Sequence, residues 1–353
     1  MRFIATSSYT DGVSVVVPVR NGAPWLARVI EALLAEDPGG RYELIAIDDG
    51  STDGSAAILA GFNRDARVRV IDGPGRGATA ALNLGVALAQ CALVAQVDQD
   101  VIVGRGWLAT LRRALHAPKV AAAQGYYVTD PSAPLSARVM GLDLEQRYAR
   151  LEDGRTDHVC TGNTLYRTEA LASIGGFDES FGYGYDNDVS YRLREAGYEL
   201  RLCRDAKSQH HWREGFWPYL VQQYGFGYGR IDLVWRHRRR LMGDAVSPAP
   251  MMLHPILLAG GLAVAGVGFA AGRGRAGLAV LGLIVTALAI ERGIAGLRAS
   301  RRYGDRAALA FPVFHLARDV AWVAAMMSWS VRRLFRLPPQ PGDSMRPRPA
   351  ASS

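Results

Sequence analysis

Residues 91–100 read CALVAQVDQD, and this stretch decides the fold. Its first seven residues are apolar apart from one glutamine, the composition of a strand buried on both faces. The run then closes on two carboxylates one residue apart, Asp98 and Asp100. A turn or an N-cap for the following GWLATLRRAL segment accounts for such acids. So does a cation site facing a crevice, because side chains two residues apart on an extended strand end point the same way. On this stretch alone both readings stand.

Working outward, residues 13–128 alternate β-branched runs with helical patterns: VSVVVPV then WLARVIEALLAE, YELIAID then DGSAAILAGF, VRVID then ATAALNLGVALAQ, CALVAQV then GWLATLRRAL, and finally VAAAQGYYV. Strand and helix repeated with short connections predict a parallel sheet with helices on both faces. Ligands of such sheets bind outside the carboxyl ends of the strands. Those ends carry Pro18-Val19-Arg20-Asn21, Asp48-Asp49-Gly50-Ser51-Thr52-Asp53, Asp72-Gly73-Pro74-Gly75-Arg76-Gly77 and Asp98-Gln99-Asp100, so acids, glycines and an arginine converge on one rim. Gly73, Gly75 and Ala78 can be forced onto a dinucleotide-binding pattern, but that pattern belongs after the first strand of a βαβ unit, and this loop follows the third. No GxxxxGK[ST] occurs, which argues against a P-loop.

Residues 129–215 read as mixed α and β, with a helix from Ser136 to Arg150, a TGNTLYR segment, GGFDESFGYGYDND, a helix VSYRLREAG and a strand YELRLC. The next stretch, HHWREGFWPYLVQQYGFGYGR, is rich in aromatics and glycine and reads as a helix against a membrane boundary.

The chain of 353 residues exceeds one ordinary domain, and its hydrophobic fraction of 49% is unevenly spread, with long apolar runs after residue 250. Residues 251–271 are uncharged and long enough to span about 30 Å of hydrocarbon. Residues 276–290 continue uncharged to Glu291, and a short GRGR link makes the two a hairpin. A third run, 307–331, carries Arg318 and Asp319 near its middle, and an unpaired charge there costs about 2.5–3.5 kcal/mol on insertion scales. The formal charge is +8, and arginines cluster in WRHRRR (235–240), RASRRYGDR (298–306) and RRLFR (332–336), each beside an apolar segment. That distribution points to the cytoplasmic face of a membrane and to lipid contact, not to nucleic acid, for which no aromatic signature or zinc-knuckle spacing is present. With the first two clusters inside, a third crossing puts RRLFR outside, so two spans plus an interfacial or protein-packed third segment are expected. Three distant cysteines fit no metal spacing and suit a reduced, cytosolic catalytic portion, and MRFIATSSYTDG is too polar for a signal-peptide core.

The rim acids suit a nucleotide sugar. Its diphosphate would be repelled by bare carboxylates unless a divalent ion bridges the two, and Mg2+ or Mn2+ usually binds through one or two carboxylates plus phosphate oxygens. Asp98 and Asp100 are candidates for that ion or the adjoining ribose. Asp186 and Asp188 precede a helix, where one can cap and one can act as the base that glycosyl transfer requires. His210 or His211 can supply a further metal ligand or be structural. Arg213 can contact pyrophosphate or face lipid headgroups.

Taken together, VSVVVPVRNG, IAIDDGSTDGS, GRGATAALNLGVALAQ, VDQD, CTGNTLYRTEALASIGGFDESFG and YDNDVSYRLREAGYEL resemble, in order, the segments of family 2 glycosyltransferases. The resemblance implies the GT-A fold, an α/β domain with a Rossmann-like mixed sheet, here followed by C-terminal transmembrane helices. It implies that Pro18 and Asp49 contact the nucleotide, with Arg76 and Asp98 on the donor side. Asp100 would ligate Mg2+ or Mn2+ in the DxD motif, with Asp98 and His210 as further ligands. Asp186 would be the general base and Asp188 its alternative, and Gly162, Asn163 and Arg213 would lie on the acceptor or pyrophosphate side. The implied reaction is an inverting hexosyl transfer from a nucleotide-diphosphate donor, a UDP-sugar before others. The family's acid before the catalytic aspartate is Tyr185 here, and the processive QxxRW pattern is absent.

The membrane segments look like a subgroup similar to succinoglycan-type exopolysaccharide glucosyltransferases, which implies a polyprenyl-diphosphate-linked or other membrane glycan acceptor. Direct transfer to polyprenyl phosphate is the alternative, and an inactive membrane scaffold of the same fold a second one. The expected organisation is an N-terminal extension (1–12), the GT-A domain (13–212), an interfacial aromatic and basic segment (213–245), a membrane region (246–336, spans about 251–271 and 276–297, third segment 307–331) and a disordered tail (337–353). The expected location is the cell membrane, multi-pass, with the catalytic domain cytoplasmic.

Overall fold

The computed structural model describes residues 10–37, 39–151 and 154–337. In chain order the elements are β1 (Thr10–Val19), α1 (Ala23–Leu34), β2 (Arg41–Asp48), α2 (Ser55–Phe62), β3 (Val68–Asp72), α3 (Ala78–Leu88), β4 (Cys91–Val97), β5 (Val101–Val103), α4 (Trp107–Ala114), β6 (Val120–Val128) and α5 (Leu135–Tyr148). They continue with β7 (Arg155–Thr156), β8 (Asn163–Arg167), α6 (Thr168–Ser173), α7 (Tyr185–Glu195), β9 (Glu199–His210), α8 (Phe216–Arg236), α9 (Ala249–Ala270), α10 (Gly274–Tyr303) and α11 (Phe311–Leu334).

Two compact units form. Among the described residues, the first comprises those up to Val128 with Leu151–His211, and the second Thr129–Arg150 with those from Trp212 onward. The later segment of the first unit ends at His211, and α5, which lies within the 13–212 domain expected from sequence, packs in the second unit. There Val139 and Leu142 of α5 join a core with Tyr219, Phe311 and Phe314, and Arg138 pairs with Asp305. Most of the expected tail (338–353) and most of the N-terminal extension (1–9) lie outside the described residues.

The first unit is a nine-stranded sheet in the order β3-β2-β1-β4-β8-β6-β9-β5, with β7 beside β9. Strands β1 to β4 are mutually parallel as expected. Val13, Val15, Val16, Val17 and Val19 of β1 are all buried, so a continuous valine run marks a strand covered on both faces. Helix α1 buries Leu26, Val29, Ile30 and Leu33, one stripe at helical spacing. Gly85 of α3 permits close packing, because a Cβ there would come within 2.3 Å of a Val16 methyl.

The sheet is mixed beyond β4. Strand β8 runs antiparallel between β4 and β6, β6 is parallel to β9, and β5 is antiparallel to β9. The five strands read from residues 13–128, β1 to β4 and β6, do run in one direction, since β8 is antiparallel to both β4 and β6; what the local pattern did not foretell is that β8, from later in the chain, is inserted between those two.

In the second unit α9 and α10 form a hairpin whose glycines face the partner helix, Gly261 against Leu281 and Ile284 and Gly268 against Gly277. Helices Ala249–Ala270 and Gly274–Tyr303 and the segment Arg306–Leu334 are each long and apolar enough to cross a membrane. Arg318 and Asp319 are both buried and bonded to each other, Nε and Nη2 of the arginine donating to Oδ1 at 3.0 and 2.8 Å. The charges expected to oppose insertion therefore compensate one another. Helix α8 accounts for much of the aromatic segment 213–245, followed by a short 3₁₀ turn at Arg238–Arg240.

Candidate active site

The site grows from the turn at Asp98–Asp100. It is not the extended strand end expected from sequence: the chain reverses there, with the Val101 N–H donating to the Asp98 carbonyl at 3.1 Å. Gln99 fixes the turn against the end of β1, its Oε1 accepting from the Arg20 N–H at 2.7 Å and its Nε2 donating to the Arg20 carbonyl at 3.0 Å. Neither acid caps α4. That role falls to Glu36, whose carboxylate accepts from the N–H groups of Gly106 and Leu108, both at 2.8 Å. The capping explanation for the two aspartates is thereby removed.

Strand pairing then brings distant residues to the turn. Strand β5 pairs with β9 so that Val101 faces His210, and the His211 N–H donates to the Asp100 carbonyl at 2.9 Å. His210 Nε2 lies 3.4 Å from Asp100 Oδ1. His211 is used differently, its ring stacked on Trp25 at a centroid distance of 3.5 Å and an angle of 7°.

Asp98 sits deeper. Its Oδ1 accepts from Gln96 Nε2 at 2.9 Å, and Gly162 lies so close that a Cβ there would come within 2.2 Å of Oδ2. Burial raises its pKa from the ordinary carboxylate range to about 7, Asp100 and then Asp186 push the same way, and His210 opposes them. Four side chains from three separate stretches therefore form one electrostatic cluster: Asp98 and Asp100, Asp186, and His210.

Asp186 and Asp188 both lie in the first turn of α7, where the helix dipole favours negative charge. Asp188 is fully buried, and its Oδ2 takes bonds from Arg192 Nε and Nη2 at 2.8 and 2.7 Å. Asp186 is half-buried and feels Asp98, Tyr166 and Tyr185. Tyr185 is held well above the usual phenol range, first by burial and then by Asp98 and Asp186, so its hydroxyl keeps its proton.

The remaining expected residues separate. Asp49 is buried and organises the Gly73–Gly77 loop, its two carboxylate oxygens accepting from the N–H groups of Gly75 and Gly77, both at 2.7 Å. Gly75 and Gly77 adopt φ of +69° and +100°, a region that glycine enters without strain. Arg76, carried by that loop, is exposed and pairs with Glu179 at 3.0 Å. Pro18 is half-buried on β1. Asn163 has both ends of its amide committed inside the protein, Oδ1 accepting from Trp107 Nε1 at 2.5 Å and Nδ2 donating to Ser208 Oγ at 2.6 Å. Arg213 belongs to the second unit, where its carbonyl accepts from Ser136 Oγ at 3.5 Å. Sequence reasoning missed Gln99, Glu36, Gln96 and Trp25; only Gln99, lodged between the two acids, offered a signal.

Among the described residues no group of three or more His, Cys, Asp or Glu side chains is arranged to hold a metal by itself. The Asp100–His210 pair still fits the implied ion. One carboxylate and one imidazole leave most positions of a six-coordinate Mg2+ or Mn2+ to phosphate oxygens and water, the usual arrangement at diphosphates. Asp98 beside them, once ionised, adds negative charge that a cation would relieve.

The family model "Glycosyl transferase family 2" matches residues 14–175, which contain the Asp98–Asp100 turn and the Asp49 loop. The chain carries a family 2 glycosyltransferase domain. The chain is 29% identical over 322 residues to the pre-mycofactocin glycosyltransferase of Mycobacterium tuberculosis, a match covering 89% of this chain and 63% of that protein. The chain thus spans under two thirds of that relative's length. It is 27% identical over 247 residues to the succinoglycan biosynthesis protein ExoA of Rhizobium meliloti, covering 66% of this chain and 75% of that one. The mannosyltransferase PcManGT from Pyrobaculum calidifontis, solved with GDP-Man and Mn2+, superposes with a TM-score of 0.58 at 20% identity over 93% of this chain and 88% of that one. The glycosyltransferase domain and its mixed α/β GT-A fold agree with the expectation from sequence.

Proposed function

We propose that this protein is an inverting, cation-dependent glycosyltransferase that moves a sugar from a nucleotide-diphosphate donor to a membrane-borne, polyprenyl-diphosphate-linked acceptor. The observation that carries the reading is the convergence of Asp98, Asp100, Asp186 and His210 on one cluster at the carboxyl ends of β1 to β4, where open α/β sheets bind ligands. Support also comes from the glycosyltransferase names of the relatives and from the bound sugar nucleotide and Mn2+ of PcManGT.

In this reading Asp49, Pro18 and the Arg76 loop hold the nucleotide, and UDP is the first donor to test. Asp100 and His210 hold one Mg2+ or Mn2+, which when bound neutralises charge on the leaving diphosphate. Asp186 accepts the proton of the acceptor hydroxyl while that oxygen bonds to the anomeric carbon and the bond to the diphosphate oxygen breaks. Asp186 is preferred to Asp188 because Asp188 is neutralised by Arg192. Tyr185, in place of an acid, keeps a neutral donor beside Asp186. Inversion follows from attack opposite the leaving group.

The apolar helices support a multi-pass location in the cell membrane with the catalytic unit cytoplasmic. Tethering to the membrane raises the effective concentration of a lipid-borne acceptor without any new contact. The deciding experiment is transfer of labelled sugar from UDP-, GDP- and dTDP-donors to lipid extracts in membranes bearing the native chain or Asp186→Asn. Transfer by the native chain alone is expected. Undiminished transfer by Asp186→Asn overturns the assigned base, and nucleotide-sugar hydrolysis without a lipid product overturns the acceptor class. Mass analysis of the lipid product separates a diphosphate link from a monophosphate link.

A further inference from the structure

Trp235 and Arg333 lie on opposite sides of three long apolar helices in the sequence, and they touch. The Arg333 guanidinium carbon is 4.2 Å from the Trp235 ring centre, and the Trp235 and Trp329 rings are 5.8 Å apart. Between these residues the chain runs through α9, α10 and α11. Each crossing of a bilayer displaces the chain by about 30 Å. A contact of 4.2 Å therefore requires an even number of crossings between Trp235 and Arg333.

The antiparallel hairpin of α9 and α10 supplies two. Helix α10 is the least covered by protein of the three apolar helices, as expected of a helix facing lipid. Helix α11 is different. It runs parallel to α8, with Phe216 against Phe314, Gly227 against Trp322 and Asp232 bonded to Trp329 Nε1 at 2.7 Å. If α11 crossed, α8 would cross beside it in the same direction. Residues 237–248 would then have to return through the hydrocarbon with only a three-residue 3₁₀ turn, leaving backbone groups unsatisfied.

The buried charges agree with this parity. Asp319 Oδ2 lies 3.6 Å from His254 Nδ1, near the start of α9, and His254 Nε2 lies 3.7 Å from Glu291, which ends the uncharged run of α10. The polar residues of α11 thus meet the base of the hairpin and not its lipid-facing length. The opposite face of α11 is apolar and exposed at Val313 (63%), Val320 (58%) and Met327 (65%), steps of seven that keep to one side of a helix.

We propose that α8 and α11 lie side by side in the interface of one leaflet, that α11 does not cross, and that the arginines at their joined ends bind anionic phospholipid headgroups. Arg236 ends α8 and Arg238, Arg239 and Arg240 follow it, while Arg332 and Arg333 lie in the last turn of α11 and Arg336 just beyond it. Exposed Trp235, Leu241, Met242, Leu334 and Phe335 accompany them. Cationic side chains interleaved with amphipathic anchors match an anionic lipid surface. The arrangement also removes the orientation conflict. The segments 235–240, 298–306 and 332–336 then share one side with eleven arginines, against Arg273 and Arg275 alone at the hairpin tip.

The proposal rests on α9 and α10 crossing and not on the sugar chemistry, so it can fail while transfer persists. Its test is Arg238→Cys, Arg273→Cys and Arg336→Cys, each in the full chain in sealed vesicles of known orientation, treated with a membrane-impermeant maleimide. The parent chain, with Cys91, Cys160 and Cys203, sets the background. Positions 238 and 336 are expected to react from one side and 273 from the other. Reaction of 336 together with 273 overturns the proposal, and so does reaction of all three from one side.

A second arm tests the lipid. Arg239 and Arg336 are both exposed, and each surface arginine contributes about fivefold to attraction by an anionic leaflet. In mixed phosphatidylcholine and phosphatidylglycerol, the Arg239→Gln/Arg336→Gln chain should lose about tenfold or more of the native preference for retaining phosphatidylglycerol. An unchanged preference overturns headgroup binding.

Discussion

His210 Nε2 lies 3.4 Å from Asp100 Oδ1, and the antiparallel pairing of β5 with β9 puts it there. In the proposed function this carboxylate from the fourth strand's end and this imidazole from the last strand are the two protein ligands of one divalent cation, the donor diphosphate supplying others. Asp100→Ala and His210→Ala should each lower sugar transfer about 10²-fold, the cost of losing one preorganised electrostatic contact. UDP plus Mn2+ should raise the melting temperature of the native chain, and each substitution should abolish that rise. A native-like thermal shift in either variant would remove that residue from the cation site.

The contrast between what the sequence disclosed and what it hid follows from contact range. Buried parallel strands must be apolar on both faces, so VSVVVPV and CALVAQV announced β1 and β4 by composition alone. Insertion of β8 between β4 and β6 depends on pairing across a long stretch of chain, which no local pattern encodes. The acids at 98, 100 and 186 were legible because isolated carboxylates at strand and helix ends are conspicuous. The exclusion of their capping role was not, because the actual cap, Glu36, comes from the end of α1. Asn163, which the family resemblance put on the acceptor or pyrophosphate side, bonds Trp107 and Ser208 in the interior, contacts between distant stretches that no local pattern encodes.

Asp98 gives the site a pH dependence with a definite sign. Its folded-state pKa of about 7 exceeds the ordinary carboxylate value of about 4, so between those limits the folded protein binds more protons than the unfolded chain. The metal-free protein should therefore lose stability as pH rises through that window. Binding of a cation should expel the proton, so Mn2+ affinity should rise with pH and level off above about 7. Calorimetry at pH 6 in buffers of different ionisation enthalpy should register proton release in the native chain and none in Asp98→Asn. Equal release in both would assign the proton to another group.

The two acids of α7 should respond oppositely to the same substitution. Asp188→Asn leaves the Arg192 charge without its carboxylate partner, a loss of up to about 3 kcal/mol when a buried pair is broken. Arg192 keeps its bonds to the Ile174 and Gly176 carbonyls and part of its exposure, which discounts that figure to about 2 kcal/mol. Asp188→Asn should thus lower the melting temperature by about 4–8 °C while the folded fraction retains turnover. Asp186→Asn should melt near the native temperature and transfer no sugar. Loss of turnover in fully folded Asp188→Asn would exchange the two assignments.

Gly162→Ala tests the position of Asp98 without touching its chemistry. A Cβ at residue 162 would come within 2.2 Å of Asp98 Oδ2 and 2.4 Å of its carboxyl carbon, so the carboxylate must rotate away. The backbone at 162 lies outside the left-handed region, so alanine is free of conformational strain there and the fold should persist. What changes is the cluster: a displaced Asp98 loses its bond from Gln96 and its proximity to Asp100 and Asp186. Turnover should fall by about 10- to 100-fold, since misplacing one group by about 1 Å carries a cost of that order. Proton release on Mn2+ binding at pH 6 should shrink with it. Circular dichroism should remain native, which separates displacement from unfolding. Native turnover in Gly162→Ala would mean that the observed position of Asp98 is not the one that catalysis uses.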